Sequence, residues 1–230
     1  MDIQFNILRQ EKDHIGVIFC DQNCKLLGFG KKLDQLSKKY ISTIISADES
    51  FKLRSSQNFD YVIIHQPQNL KLSKIYVFKL KKFREYQIRD FQILGGHVFS
   101  LLSFYKENKV ILYPDGVVSS KISFMNSITE LLVGFSLASY KFDKYKKKNT
   151  KKNKSTKLPK LKVSSSSHTR LEKNYVNVKA ISEGVTLTRN LVTEPPNVMT
   201  PPEIAKNAAS LENYGVKVTI LGEKEMTKLG

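Results

Sequence analysis

Two proline pairs, Pro195-Pro196 and Pro201-Pro202, divide this chain more decisively than any other feature in it. Inside a helix a proline removes a hydrogen bond and clashes with the preceding turn, and a central strand cannot spare the missing N–H. The run Arg189-Asn190-Leu191-Val192-Thr193-Glu194-Pro195-Pro196-Asn197-Val198-Met199-Thr200-Pro201 is therefore a specified joint between periodic segments. Upstream, from about Tyr175, Val178, Ile181, Val185, Thr188 and Val192 form one helical face, with Ala180, Gly184, Leu187 and Leu191 on an adjoining one. A helix apolar around so much of its circumference is expected to be buried between elements or domains. Downstream, Thr200 is placed to cap a helix opening at Pro201, with Glu203 three residues after the cap. Ile204, Ala208 and Leu211 then face a core, Gly215 ends the helix, Val216 to Leu221 reads as a strand, and Glu223 to Leu229 begins another helix.

The longer N-terminal part alternates strands and helices. Ile3, Phe5 and Ile7 point one way against Asp2, Gln4 and Asn6, a half-buried strand, and residues 15–20 form a more continuously apolar one. Strands are also expected over 61–64, 75–80, 109–113 and 161–164. A helix over 34–48 would place Leu36, Tyr40, Ile44 and Ala47 on one face, and another over 86–105 would carry Ile88, Phe91, Leu94, Val98 and Leu102. Gly95-Gly96 in the middle of that helix is expected to allow close packing against a sheet. A long helix over 127–145 aligns Ile128, Leu131, Leu132, Phe135, Ala138 and Phe142, with Phe142 and Tyr145 as core anchors. Pro114-Asp115-Gly116 is a turn, and Ser164 to Ser167 reads as a connector. The alternation indicates an α/β layer sandwich. No glycine-rich nucleotide fingerprint follows any strand.

Charge is unevenly distributed. The 230 residues carry a net charge of +17, and residues 141–162 hold eleven Lys against one Asp. Such a run repels itself and reads first as a solvated loop; its second reading is attraction to phosphate, without sequence preference because lysine lacks the bidentate geometry of arginine. The candidate nucleic-acid contacts are Lys146, Lys147, Lys148, Lys151, Lys152, Lys154, Lys157 and Lys160. Cys20 and Cys24, four apart, read as unpaired thiols of a reducing compartment. The N-terminus lacks a basic and then apolar leader, and no window approaches a membrane span, so a cytoplasmic protein is expected.

Three stretches carry a family resemblance: Tyr140-Lys141-Phe142-Asp143-Lys144-Tyr145-Lys146, the proline joint, and Gly215-Val216-Lys217-Val218-Thr219-Ile220-Leu221. Together they resemble the leucyl (cytosol) aminopeptidases, dinuclear metallopeptidases that release N-terminal amino acids from peptides. The resemblance implies an α/β fold: a three-layer, macro-domain-like N-terminal sandwich, an interdomain helix, and the truncated start of a second α/β domain. In that division residues 1–168 are the N-terminal domain with a Lys-rich loop at 146–160. Residues 169–194 are the connector and interdomain helix, and 195–230 the incomplete start of the catalytic domain. The family's two divalent metals, manganese or zinc, and its catalytic lysine and arginine come from motifs of the kind Val-Gly-Lys-Gly and Asn-Thr-Asp-Ala-Glu-Gly-Arg. Neither motif occurs in residues 1–230.

The resemblance thus implies a truncated, inactive N-terminal portion, with no catalytic, cofactor or metal residues of its own. Its partner would be a separately encoded C-terminal catalytic portion, and the family's homohexamer is expected to be absent or weakened. The alternative is a noncatalytic module that binds nucleic acid through the lysine loop. The ADP-ribose reading invited by a macro-domain sandwich lacks its phosphate-cradling glycine loops. His14, His65, His97 and His168 are scattered, with none of the i,i+4 ligand spacing of a metal-binding helix. Ser164 to Ser167 beside His168 has no nucleophile-elbow context, and His168 itself is expected to be solvated in the connector.

Overall fold

The computed structural model describes residues 3–53, 60–80, 82–146 and 158–230. They fall into two compact units, Met1–Ser182 and Glu183–Gly230. The first is built on a six-stranded sheet: β1 (Ile3–Asn6), β2 (Ile15–Cys20), β3 (Asp60–His65), β4 (Lys74–Lys79), β5 (Lys109–Leu112) and β6 (Lys160–Ser164). Their spatial order is β1-β6-β5-β2-β4-β3, with every neighbour parallel except the β3–β4 pair. All six residues of β2 are buried, as expected for a central parallel strand with both faces covered.

Alternate residues serve two cores. Val17, Phe19, Tyr76, Phe78, Val110, Leu112, Leu161 and Val163 face helices α4 (Ile88–Phe104), α5 (Phe124–Ala138) and the start of α6 (His168–Thr193). Ile18, Cys20, Ile75, Val77 and Ile111 face α1 (Phe29–Leu36), α2 (Tyr40–Ala47) and α3 (Glu49–Leu53). The six strands thus lie where the alternation places them.

The single helix expected over 34–48 is instead two. Lys38 and Lys39 turn left-handed, with φ of 54° and 62°. Asp34 makes that turn affordable in hydrogen bonds: its carbonyl accepts from the Lys39 N–H at 2.7 Å, and its Oδ1 accepts from the Ser42 N–H at 2.8 Å. The break rotates the second helix. The buried face is Leu33, Ile41 and Ile45, while Leu36 is left 46% exposed.

Gly95 packs against a helix, not a sheet. A Cβ at Gly95 would lie 1.8 Å from the Leu131 carbonyl oxygen, and one at Gly134 would lie 1.8 Å from that of Gln92, so α4 and α5 meet backbone to backbone. Phe99 and Phe135 close the same contact edge to face at 5.2 Å. Ser123 caps α5, its Oγ accepting from the Asn126 N–H at 3.2 Å. The helix stops at Ala138, well before the expected Tyr145. The Ser139 hydroxyl there donates to the Ser136 carbonyl at 2.6 Å, competing with the helical ladder. Tyr145 is consequently 54% exposed, not a core anchor.

Ser164 to Ser167 is a fixed corner. Asp115 accepts from the Ser165 hydroxyl at 2.5 Å and from the N–H and hydroxyl of Ser166 at 3.0 and 2.8 Å. Helix α6 therefore starts at His168, earlier than expected, and sends Leu171, Tyr175 and Val178 into the first core.

In the second unit α7 (Pro201–Ala209) opens on its two prolines, although the Thr200 side chain makes no capping bond. A 3-10 turn over Ser210–Tyr214 ends at Gly215, whose φ is +81°. Residues 216–221 belong to no strand among the described residues, contrary to the strand expected there. Helix α8 (Glu223–Leu229) follows, and neither α7 nor α8 has a buried residue.

Candidate functional site

Peptide hydrolysis on two metals needs convergent carboxylate and imidazole ligands. Among the described residues no three of His, Cys, Asp and Glu come together in that way. His14 lies against Glu11, its Nε2 at 3.3 Å from Oε2, and its Nδ1 is 3.0 Å from the Lys12 carbonyl. His65 is exposed at the end of β3, and His97 is half-buried on α4. His168 is half-buried at the first turn of α6 rather than solvated, with its Nδ1 buried. The described residues do not suit a dinuclear centre.

Nucleophilic chemistry is no better served. Burial pushes the thiols of Cys20 and Cys24 up, Cys20 far up, which disfavours the thiolate a nucleophile needs. The hydroxyls of Ser165 and Ser166 are committed to Asp115. A cleft of about 810 Å³ opens beside the turn that follows β2 and is lined by Cys24, Lys25, Lys31, Asp34, Lys39 and Lys52 among others. It presents solvated ammonium groups around a single carboxylate and no acid–base pair.

Of the candidate nucleic-acid lysines, Lys146 is exposed and ion-paired with Asp143 at 2.6 Å. Lys160 is exposed at the first position of β6, in register with Lys109 on β5. Lys147, Lys148, Lys151, Lys152, Lys154 and Lys157 lie outside the described residues. Beside Lys160 the structure places residues that were not among the candidate contacts: Lys109, Lys162, His14 and Glu11. Lys162 donates to Glu11 Oε2 at 2.5 Å, and that bond holds the Glu11 carboxyl below its ordinary range. The signal was present in β6, where Lys160-Leu161-Lys162-Val163 alternates charged and apolar residues within an interior strand.

Residues 17–149 match the cytosol aminopeptidase family, N-terminal domain. The chain belongs to that family. A probable cytosol aminopeptidase of Rhizobium etli is 35% identical over 181 residues, which are 78% of this chain and 35% of that protein. The chain thus spans about a third of the length of the curated relatives it matches. In fold it is similar to a mutant of tomato leucine aminopeptidase, at a TM-score of 0.74 and 18% identity, over 100% of this chain and 46% of the other. An Oceanobacillus iheyensis macrodomain mutant gives a TM-score of 0.55 at 11% identity, over 79% of this chain and 92% of that one. The chain therefore corresponds to the N-terminal portion of the cytosol aminopeptidase fold.

In this cytosol aminopeptidase domain β2 and β5 are neighbours whose onward connections run toward opposite edges of the sheet, the arrangement that opens a ligand crevice in many α/β sheets. Here the loops after the two strands touch. A Cβ on Gly28 would lie 1.5 Å from the Asp115 carbonyl oxygen, and one on Gly116 would lie 2.5 Å from the Gly28 nitrogen. Both glycines have positive φ, 47° and 88°, so the contact depends on their lacking a side chain. The loops after β2 and β5 thus meet backbone to backbone at this point.

The other conspicuous surface is apolar. Along α6 from Ile181 and through the second unit, large apolar side chains are open: Ile181 is 61% exposed, Val192 80% and Leu229 75%, with Ile204, Val216, Ile220 and Leu221 each about half exposed.

Proposed function

We propose that this chain is the noncatalytic N-terminal portion of a leucyl aminopeptidase-like protein and that it has no peptidase activity alone. In this reading residues 1–168 form a macrodomain-like positioning domain, 169–194 the interdomain helix, and 195–230 the opening of a metallopeptidase domain. The rest of that domain would bring the two divalent metals, which activate water and stabilise the tetrahedral intermediate when bound. The observation that carries the reading is the open apolar surface of α6 and the second unit. Isolated soluble domains rarely display such a surface without a partner for it. The family name and the reduced thiols support a cytoplasmic setting, and the family's hexamer would require the missing part.

With Mn²⁺ or Zn²⁺ supplied, the purified chain is expected to show no turnover of leucine p-nitroanilide. Mixed with the remaining C-terminal portion of the Rhizobium etli relative, it is expected to co-elute on size exclusion and to gain protease protection after Ser182. Metal-dependent turnover by the chain alone, free of host peptidases, would overturn the reading. So would a chain that resists protease uniformly and ignores the added portion.

A second reading, weak nucleic-acid binding through Lys146 to Lys160, is favoured by the exposure of the run's two described ends. On duplex DNA each phosphate contact contributes a slope of roughly 0.9 to log affinity against log salt. Changing Lys146, Lys147, Lys148, Lys151 and Lys152 to Gln should lower both affinity and slope. An unchanged slope identifies the run as a solvated linker.

A further inference from the structure

Parallel sheets usually have both faces covered, and among the described residues one face of β1 and β6 has no helix over it. On β6, Leu161 and Val163 enter the core beneath α4, α5 and α6, while Lys160 and Lys162 point to the opposite face. On β1, Ile3 and Phe5 pack with that same core, leaving Gln4 and Asn6 on the other side. Among the described residues none of β1 or β6 belongs to the second core, which α1, α2 and α3 form over β2 and its neighbours. The segment between β1 and β2 crosses the uncovered part and is tied down there: the Arg9 N–H donates to Ser164 Oγ at 3.1 Å, and the Tyr113 hydroxyl donates to the Arg9 carbonyl at 2.8 Å. Beside it remains a cleft of about 370 Å³ lined by Gln4, His14, Lys109, Lys160, Leu161 and Lys162.

The charges in this cleft do not balance. Lys162 and His14 both lean on Glu11, at 2.5 and 3.3 Å. Lys109 and Lys160 sit side by side on adjacent strands, and among the described residues neither has a carboxylate partner. Neighbouring strands are about 4.8 Å apart and alternate residues about 6.6 Å along a strand, so three ammonium stems rise from a patch the size of a small molecule. Like charges facing each other across strands cost stability. They are the arrangement that a compact polyanion relieves, since lysine ammonium groups meet phosphate as point charges.

We propose that this uncovered sheet face is a binding site for an oligophosphate, with Lys109, Lys160 and Lys162 holding adjacent phosphoryl groups and the Gln4 amide donating at the rim. The cleft is near the small end of the range for ligand sites, roughly 300 to 1,000 Å³, which favours a short linear oligophosphate over a macromolecule. Its lysines stand on strands in hydrogen-bonded register, so the site is built into the sheet.

The test is a calorimetric titration of the full chain with inorganic tripolyphosphate at fixed ionic strength, paired with backbone amide spectra. Saturable 1:1 binding is expected, with the largest shifts at Gln4, Lys109, Lys160 and Lys162. The Lys109→Gln/Lys160→Gln variant should bind about tenfold or more weakly, a change of roughly 1.4 kcal/mol or more, at a melting temperature that does not fall and rises if anything as the cross-strand repulsion is removed. The variant neutralised at Lys146, Lys147, Lys148, Lys151 and Lys152 should retain its affinity. If the double variant melts early, Lys160→Gln alone, on an exposed side chain, takes its place and should weaken binding in the same direction. Absence of saturable binding, shifts confined to other residues, or loss of affinity only in the run variant would overturn the site.

Discussion

Alanine at Gly95 is expected to destabilise the first unit by about 3 kcal/mol, while alanine at the adjacent Gly96 is expected to stabilise it by about 0.5 to 1 kcal/mol. The two positions share a helix and a residue type, so their difference isolates one contact. At Gly95 the new Cβ would stand 1.8 Å from the Leu131 carbonyl oxygen and 2.8 Å from the Phe135 nitrogen. These are backbone atoms of α5, and backbone cannot rotate aside as a side chain can. The helices must separate, and the contact of Phe99 with Phe135 opens with them. At Gly96 the nearest atoms to a new Cβ are 3.9 Å away, ordinary contact, so the helix propensity of alanine dominates. For a domain of this size 3 kcal/mol corresponds to a melting temperature lower by roughly 6 to 12 °C. Scanning calorimetry of the two variants decides the matter, and equal melting temperatures would show that α4 and α5 do not touch at Gly95.

Lys79→Met is expected to cost about 3 kcal/mol in urea unfolding. Lys79 is only 3% exposed, and its stem runs inward from β4. The ammonium donates to the carbonyls of Phe51 and, at 3.2 Å, Lys52, which end helix α3; it also lies 5.0 Å from the centre of the Phe51 ring and 4.0 Å from Asp60 Oδ2. Methionine keeps most of the volume but leaves a buried carboxylate and two helix-end carbonyls without that cation. Much of the loss therefore belongs to the groups left behind, and Lys79→Met/Asp60→Asn should recover part of it. A double variant as unstable as the sum of the singles would show that the two side chains act independently.

The strands could be read from the sequence because each depends on its own alternation. Helix ends and partners could not. The break after Leu36 depends on Asp34 meeting the N–H groups of Lys39 and Ser42, a local bond set with no glycine or proline to announce it. Gly95 announced a close approach, but its partner, Leu131, is set by the tertiary crossing. Ser139 ends α5 through a side-chain bond that an apolar periodicity through Phe142 conceals. Val216 to Leu221 has the composition of a strand, yet a strand needs a neighbour. The basic cleft was half visible: Lys160 was singled out for its place in a charge run, whereas Lys109 joins it through pairing of β5 with β6.

The pairing of β1 with β6 also has a consequence in time. Strand β1 leaves the ribosome before the other strands of its sheet, but its register partner begins only at Lys160. At the usual 5 to 20 residues per second, roughly 8 to 30 s of synthesis separate the two. Throughout that interval Ile3 and Phe5 have no sheet to join, and the chain that emerges last before the match is the lysine-rich stretch, whose self-repulsion opposes premature collapse. The sheet of this protein is thus closed by its two most distant strands, making the nascent chain most exposed to chaperones and proteases just before β6 appears.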